Sequence, residues 1–265
     1  MQKFMRRLVQ LIFPARCAGC QKTGPDLVCE ECAARLETVI PRYCMNCGRQ
    51  RLTAFASPDC AECHGRDIGV NRSRSAFLYN EMGRKLLAEF KFNGNLGVGQ
   101  ELSELILARI PARPARIFDR PGLRMDAILP VPLHPLRRRE RRFNQSELLA
   151  RLLSDHTKLP MRTDLLIRSK ETGTQVGLTE AQRRANVQGA FDVPERFHGT
   201  LTGKRFIVVD DLMTTGSTLA SCARALRRRG AGEVFGLTLF STIPESRSGA
   251  PVEPQDPDIV PPPLL

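Results

Sequence analysis

Asp210 and Asp211 stand side by side between an apolar run, Phe206 to Val209, and a turn made of Thr214, Thr215, Gly216, Ser217 and Thr218. Two carboxylates in that place suit ligand hydroxyls, a Mg²⁺ ion or both, because with nothing between them they would repel each other. Phe206 to Val209 is short and rich in β-branched residues, the pattern of a strand covered on both faces in a parallel sheet. From Ser217 the pattern turns helical, with Leu219, Cys222, Ala223 and Leu226 on one face and Gly230 as a stop after Arg227 to Arg229. The turn therefore opens onto a helix N-terminus, where free N–H groups and the helix dipole favour an anion. Hydroxyls add donors and Gly216 allows close backbone approach. A phosphate fits that cradle, and with the acid pair it outlines a sugar-phosphate site. An isolated Asp pair more often caps a turn; here the strand before it and the Thr/Gly turn after it favour the ligand reading.

Eight of the nine cysteines form four Cys-x-x-Cys knuckles: Cys17 and Cys20, Cys29 and Cys32, Cys44 and Cys47, Cys60 and Cys63. Thiolates at that spacing grip a tetrahedral Zn²⁺ from one turn, and two knuckles close a structural site, so one or two zinc ions are expected. Sequential pairing of knuckles is preferred over an interleaved cross-brace. Disulfides are disfavoured because no signal peptide is visible, and redox chemistry because no thioredoxin-like βαβ pattern surrounds the pairs. The run ending in Cys63-His64 also fits a c-type haem attachment pattern, which would need an export signal that is not seen; His64 reads as a bystander or spare ligand. Cys222 reads as a small buried hydrophobe.

The segment around Asp210 resembles the phosphoribosyl pyrophosphate (PRPP) signature of type I phosphoribosyltransferases. The four knuckles, Phe90-Lys91-Phe92-Asn93-Gly94, Pro130-Val131-Pro132-Leu133, Arg142-Phe143-Asn144-Gln145, and Gln175-Val176-Gly177-Leu178 through Arg183, Arg184 and Asn186 follow in an order similar to the competence protein F (ComF) family. The resemblance covers nearly the whole chain except its tail. It implies that Asp210 and Asp211 hold ribose hydroxyls and that Thr214, Thr215, Gly216, Ser217 and Thr218 wrap the 5′-phosphate. It also implies that Pro130 to Leu133 lies near the pyrophosphate loop. Arginines follow that turn at 137, 138, 139, 141 and 142. Arg137 and Arg141 suit a pyrophosphate leaving group through paired N–H donors, while a solvated face or a nucleic-acid contact is the other reading of the run.

Thr214 stands where hypoxanthine-guanine-type enzymes carry an Asp proposed to act as a base, so no general base is supplied there; orotate-type signatures share the Thr. Catalysis would rest on electrostatic stabilisation of an oxocarbenium-like ribose and of pyrophosphate, with Mg²⁺ bridging the charges. Arg142 replaces a common Gly, and Thr172-Gly173-Thr174 replaces a stretch that commonly contains Pro. The resemblance further implies a cytoplasmic protein binding PRPP or a nucleotide with Mg²⁺ and acting in uptake or use of external DNA, with pentosyl transfer as its chemistry. The alternative is a non-catalytic competence factor that senses PRPP or docks single-stranded DNA or a competence helicase.

The elements that must position these residues are read from pattern. Strands are expected over Ala76 to Tyr79, Asp126 to Val131 and Glu233 to Phe240, and helices over 82–92, 96–109 and 144–156. Pro111 to Pro121 reads as a loop, and 167–194 as a polar hood, helical over 180–186, that would choose an acceptor base. The fold class is α/β: a parallel twisted sheet with helices on both faces, preceded by a small zinc-binding module, with the ligand crevice at the carboxyl ends of the strands. The domains are 1–72, an N-terminal helix plus a double zinc-finger module; 73–243, the phosphoribosyltransferase-like domain; and 244–265, a disordered Pro-rich tail.

Composition agrees with this division. The chain has 265 residues, 42% of them apolar, enough for a core of one large or two moderate domains. Trp is absent and Tyr occurs twice, which argues against a surface built on stacking of single-stranded bases. Forty basic against 28 acidic residues give a formal charge of +12, suited to polyanions: PRPP, nucleic acid or an anionic membrane surface. Met1 to Phe13 reads as an amphipathic helix packed on the protein rather than a signal peptide, and no stretch is long and apolar enough to span a membrane.

Overall fold

The computed structural model describes residues 15–39, 43–51, 59, 60, 63, 68–92, 94–135, 138, 139, 143–170 and 188–243. The expected N-terminal helix, His64, most of the hood and the Pro-rich tail lie outside them.

In chain order the elements are β1 (Ala15–Arg16), β2 (Thr23–Gly24), α1 (Glu30–Ala34), β3 (Arg72–Leu78), α2 (Glu81–Phe92), α3 (Leu96–Leu107), α4 (Pro114–Ile117), β4 (Ala127–Pro130), α5 (Gln145–Thr157), β5 (Ile167–Arg168), β6 (Phe191–Asp192), β7 (Arg205–Met213), α6 (Ser217–Arg228) and β8 (Glu233–Ser241). The central sheet has the order β3-β8-β7-β4, and every pair in it is parallel. Parallel strands need both faces covered, which explains why Phe206 to Val209 are all buried. One face packs Ile207, Val209, Phe235 and Leu237 against α2, α3 and α5. The other packs Phe206, Val208 and Val234 against Leu219, Cys222, Ala223 and Leu226 of α6.

Three features differ from the sequence pattern by more than a residue or two. β7 continues through the acid pair to Met213, because β8 pairs with it along that length. β3 begins at Arg72, within the polar Asn71-Arg72-Ser73: Ser73 is buried with its hydroxyl on the Met213 sulfur, and the Arg74 guanidinium donates to the Met45 carbonyl and to Asp119. The proline-rich segment after Ile110 holds a short helix, α4, with Pro114 in its first turn, where the missing N–H costs nothing. The two ends of the hood segment meet in an antiparallel pair, Ile167 with Asp192 and Arg168 with Phe191.

The cysteine-rich segment is built into the same cores. Its first part buries Cys17, Val28, Cys32 and Leu36 with Phe77 and Met82 on the α2 side, and its second part buries Cys44, Cys47, Cys60 and Cys63 with the α6 side. Between them residues 37–39 run antiparallel to β3, with Val39 N–H on Ala76 O at 3.1 Å and Leu78 N–H on Glu37 O at 2.8 Å. The module thereby covers an edge that would otherwise invite pairing with another chain.

Helix α3 closes on α2 through Gly99, where a Cβ atom would lie 2.1 Å from the fully buried Phe90 ring. Gly99→Ala is expected to destabilise the protein by about 1–3 kcal/mol through overpacking, read as a lower denaturant midpoint at unchanged slope.

Candidate functional site: an acid pair, a hydroxyl-rich loop and two four-cysteine groups

Three short runs far apart in the chain meet at the carboxyl end of β7. Asp210 and Asp211 come from the strand itself; Lys91 comes from the last turn of α2, and Ser146 from the first turn of α5. Lys91 Nζ sits 2.8 Å from Asp211 Oδ1, with both side chains largely buried. Ser146 Oγ donates to Asp210 Oδ1 at 3.0 Å, and the Asp211 N–H donates to the same oxygen at 2.9 Å. The helix ends are held in place by neighbours in sequence: Phe90 and Phe143 stack with centroids 5.6 Å apart, and Gln145 Nε2 donates to Lys91 O at 3.5 Å. Asn144 caps α5 by accepting the Ser146 N–H, while its amide donates to Val131 O at 3.0 Å. That second bond ties the Pro130 to Leu133 turn to the acid pair, and Val131 N–H on Val209 O completes the link.

The electrostatics follow from burial. Loss of water and the adjacent Asp211 charge push the Asp210 carboxyl up to about 7, while Lys91 and the hydrogen bonds from Asp211 N–H and Ser146 act in the opposite direction. Asp210 therefore exchanges a proton near neutrality. Cys222, fully buried on α6, has its thiol pushed well up, first by burial and then by the Asp210 charge, so it is an inert packing group.

The loop after the pair has a left-handed residue where it enters the helix. Gly216 is the N-cap of α6 with φ of 76°, a conformation that disfavours any side chain. Thr215 Oγ1 donates to Ser217 Oγ at 3.0 Å and accepts the Ser217 N–H at 3.4 Å. Thr214, Thr215, Gly216 and Thr218 remain partly exposed, so this helix start is open to a ligand. A cavity of about 440 Å³ borders Thr215, Gly216 and Ser217 on the side of Cys47, Arg49 and Arg224, and neither aspartate lines it. The loop thus has two accessible sides.

The eight knuckle cysteines form two groups, Cys17, Cys20, Cys29 and Cys32, and Cys44, Cys47, Cys60 and Cys63; within each group the sulfurs lie within 4.8 Å of one another. The pairing is sequential. Cys20 and Cys29 sulfurs are 3.7 Å apart and Cys47 and Cys60 sulfurs 3.8 Å apart, close to the roughly 3.8 Å edge of a ZnS₄ tetrahedron with 2.3 Å bonds. A disulfide would need about 2.0 Å, so these cysteines are unpaired thiols. The two groups share a backbone design: Cys29 N–H points at Cys17 Sγ and Cys60 N–H at Cys44 Sγ. In the second group, hydrogen bonds with Cys47, Cys60 and Cys63 pull the Cys44 thiol far down, while those with Cys44, Cys47 and Cys60 push Cys63 far up. Thiols packed this closely cannot all ionise without a countercharge; a dication supplies it, and four thiolates are a zinc set.

Sequence reasoning placed the acid pair, the loop and the cysteines but assigned no role to Lys91, Ser146 or Arg49. Lys91 and Ser146 lie within or beside the runs Phe90 to Gly94 and Arg142 to Gln145, and a lone lysine between two phenylalanines near a helix end was the available signal. Arg137 and Arg141 lie outside the described residues. Of the neighbouring arginines, Arg138 pairs with Glu147 at 3.3 Å and is solvent-exposed, and Arg139 is also exposed.

Residues 8–64 match the double zinc ribbon domain, and residues 131–254 match the phosphoribosyl transferase domain. Among solved structures, the glutamine PRPP amidotransferase from B. subtilis aligns with a TM-score of 0.33 at 21% identity, over 54% of this chain and 26% of that one. The adenine phosphoribosyl transferase from Trypanosoma brucei aligns with a TM-score of 0.33 at 12% identity, over 65% and 77%. Competence protein F of Haemophilus influenzae is 29% identical over 84% of this chain and 95% of its own length. Competence protein ComFC of Bacillus subtilis is 29% identical over 81% and 84%. The parallel sheet, the domain matches and the two four-cysteine groups define a type I phosphoribosyltransferase-like protein with a double zinc ribbon. DNA utilization protein YhgH of Escherichia coli O157:H7 is 30% identical over 82% of this chain and 91% of its own length, and the chain belongs to this competence protein F family. None of the described helices is long and apolar enough to cross a membrane.

Two outcomes are expected. Cys17→Ser lowers the zinc content from two ions to one per chain and destabilises the N-terminal module, measured by metal analysis and thermal melting. For Asp210 the sign is set by a raised folded value: its contribution is complete below about pH 4 and is lost as pH rises through about 7. Ligand-free protein should therefore lose stability across that window in denaturant titrations, and Asp210→Asn should flatten that component.

Proposed function

We propose that this chain binds PRPP, or a nucleotide presenting the same ribose 5-phosphate, together with Mg²⁺. The observation that carries this reading is the compensated acid pair at the end of β7, held beside an open helix N-terminus. Asp210 and Asp211 would take the ribose hydroxyls, and Thr214 to Thr218 the 5′-phosphate, through backbone N–H groups and hydroxyls. Mg²⁺ supplies charge neutralisation at the pyrophosphate when bound. Lys91 holds Asp211 in place and lowers the repulsion within the pair, and Asp210 gives up its proton when a cation or ligand favours its charged form. Arg137 and Arg141 are proposed for the pyrophosphate.

The domain division at 72/73 and the tail from 244 are part of the same reading, with zinc structural in the ribbons. The reaction favoured is pentosyl transfer in the cytoplasm, with the hood selecting an acceptor. The names of the relatives, competence proteins and a DNA utilization protein, support a role in uptake or use of external DNA. The double zinc ribbon and the formal charge of +12 favour a second reading: a PRPP-responsive factor that engages single-stranded DNA or a helicase without turnover.

Calorimetry with Mg²⁺ and PRPP tests the site. Asp210→Asn with Asp211→Asn is expected to weaken binding at least about 100-fold while two zinc ions per chain and the melting transition persist, since hydrogen bonds to charged groups are worth about 1.5–3 kcal/mol each. Equal affinity in the double variant would remove the assignment. Pyrophosphate release from the bound complex against a panel of free bases separates the enzyme from the sensor.

A further inference from the structure

The first knuckles of the two four-cysteine groups are built alike but face different neighbours. In the first, Cys17 N–H donates to Lys22 O and Gln21 N–H to Cys17 O; in the second, Cys44 N–H donates to Arg49 O and Gly48 N–H to Cys44 O. Gln21 and Gly48, each four residues after the first cysteine, both have positive φ, 63° and 71°. Lys22 and Arg49 are therefore equivalent positions on the two turns. Lys22 is exposed and pairs with Glu31 of its own ribbon at 2.9 Å. Arg49 is 6% exposed, and its Nη1 donates to the carbonyl of Thr214 at 3.0 Å, 165 residues away.

The Cys44–Cys47 knuckle is also pressed onto the strand that flanks this contact. Ser73 N–H donates to Asn46 O at 2.6 Å, and a Cβ on Gly48 would lie 2.2 Å from Ser73 O. Neither the knuckle nor the loop can shift far without the other. Thr214 begins the loop, and its carbonyl orientation constrains the following peptide planes, whose N–H groups lead into Gly216 and Ser217.

From this geometry we infer that Arg49 is a positioning residue for the loop 214–218, and that the Cys44, Cys47, Cys60 and Cys63 site is energetically coupled to phosphate binding, whereas the Cys17, Cys20, Cys29 and Cys32 site is not. The inference rests on reading that loop as the phosphate site. A zinc ion at the second group fixes the turn from Cys44 to Arg49, and the turn fixes the guanidinium on Thr214 O. Coupling is reciprocal, so a phosphate ligand that orders the loop also retains the second zinc.

The experiment is amide hydrogen exchange on full-length zinc-loaded protein, wild type against Arg49→Ala, with Arg49→Lys and Arg49→Gln as alternatives should the alanine variant not fold. Loss of one hydrogen bond is expected to speed exchange in peptides covering 213–217 about fivefold, with peptides around Lys91 unchanged and two zinc ions retained. Mg²⁺–PRPP affinity should fall about tenfold in the same variant. In the wild type, Mg²⁺–PRPP should slow transfer of one of the two zinc ions to a chromogenic chelator and leave the other unaffected. Unchanged exchange at 213–217 would overturn the coupling, as would retardation of both ions or of neither in a protein that binds PRPP. A wild type that binds no PRPP would remove the proposed function instead, while the exchange comparison would still decide whether Arg49 holds the loop.

Discussion

Two like charges at the end of a strand covered on both faces form an arrangement that water cannot relieve. Asp210 and Asp211 are adjacent, Asp211 is buried and Asp210 half-buried, and at the lowered effective dielectric of such a position their repulsion costs several kcal/mol unless something offsets it. The protein offsets it in two ways: Lys91 supplies a countercharge to Asp211, and Asp210 holds a proton until near neutrality. Both depend on long-range packing. The lysine arrives only because α2 ends above β7, and that end is fixed by the Phe90 to Phe143 stack and by Gly99, which lets α3 close on the Phe90 ring. The hydroxyl of Ser146 arrives because Asn144 caps α5 and anchors it to the β4 turn. Sheet, helices and caps converge on one electrostatic problem, and a bound cation with a polyhydroxyl ligand would offset the same repulsion.

The zinc module solves a different shortage. Segments of two-residue strands and a five-residue helix cannot bury a core of their own. Four thiolates at tetrahedral spacing replace that core with metal bonds, and the remaining apolar residues are donated to the two faces of the larger sheet. The module straddles the sheet and lines the β3 edge, so metal binding and sheet closure support each other. A ribbon attached only by a linker would leave both that edge and its own half-buried side chains to solvent.

Much of this was legible from local pattern. The strand, turn and helix from Phe206 to Arg228 follow from an apolar run, a Thr/Gly turn and an i, i+3, i+4 face, and the zinc groups follow from knuckle spacing. What pattern does not encode is who stands opposite. Lys91, Ser146 and Arg49 act across 120, 64 and 165 residues respectively, and even where the neighbours give a hint, as the two phenylalanines beside Lys91 do, they do not name the group it meets. Strand ends were misjudged for the same reason: β3 and β7 extend through polar residues because β8 offers ladder partners there, and a hydrogen-bond ladder tolerates Ser73, Arg74 and Asp210 once their side chains find donors or acceptors. The roles of Arg137, Arg141 and hood residues 171–187 are expectations of sequence alone, since those residues lie outside the described ones.

The loop between Met213 and Ser217 is the hinge of this arrangement in an energetic sense. It has few apolar contacts of its own, and a short segment free to sample many conformations would spend much of a phosphate's binding energy on ordering. The structure removes that freedom from both ends. On one side the strand holds the acid pair through Lys91 and Ser146; on the other the left-handed Gly216 commits the chain to α6, whose buried Leu219, Cys222 and Leu226 fix the helix against the sheet. Between these points the Thr214 carbonyl is the backbone acceptor that a neighbouring unit, the turn of the Cys44–Cys47 knuckle, has taken up. A loop pinned at the strand, at the helix and at its first carbonyl has less conformational freedom to lose when a ligand orders it, and that is what this pinning would contribute to the proposed phosphate site.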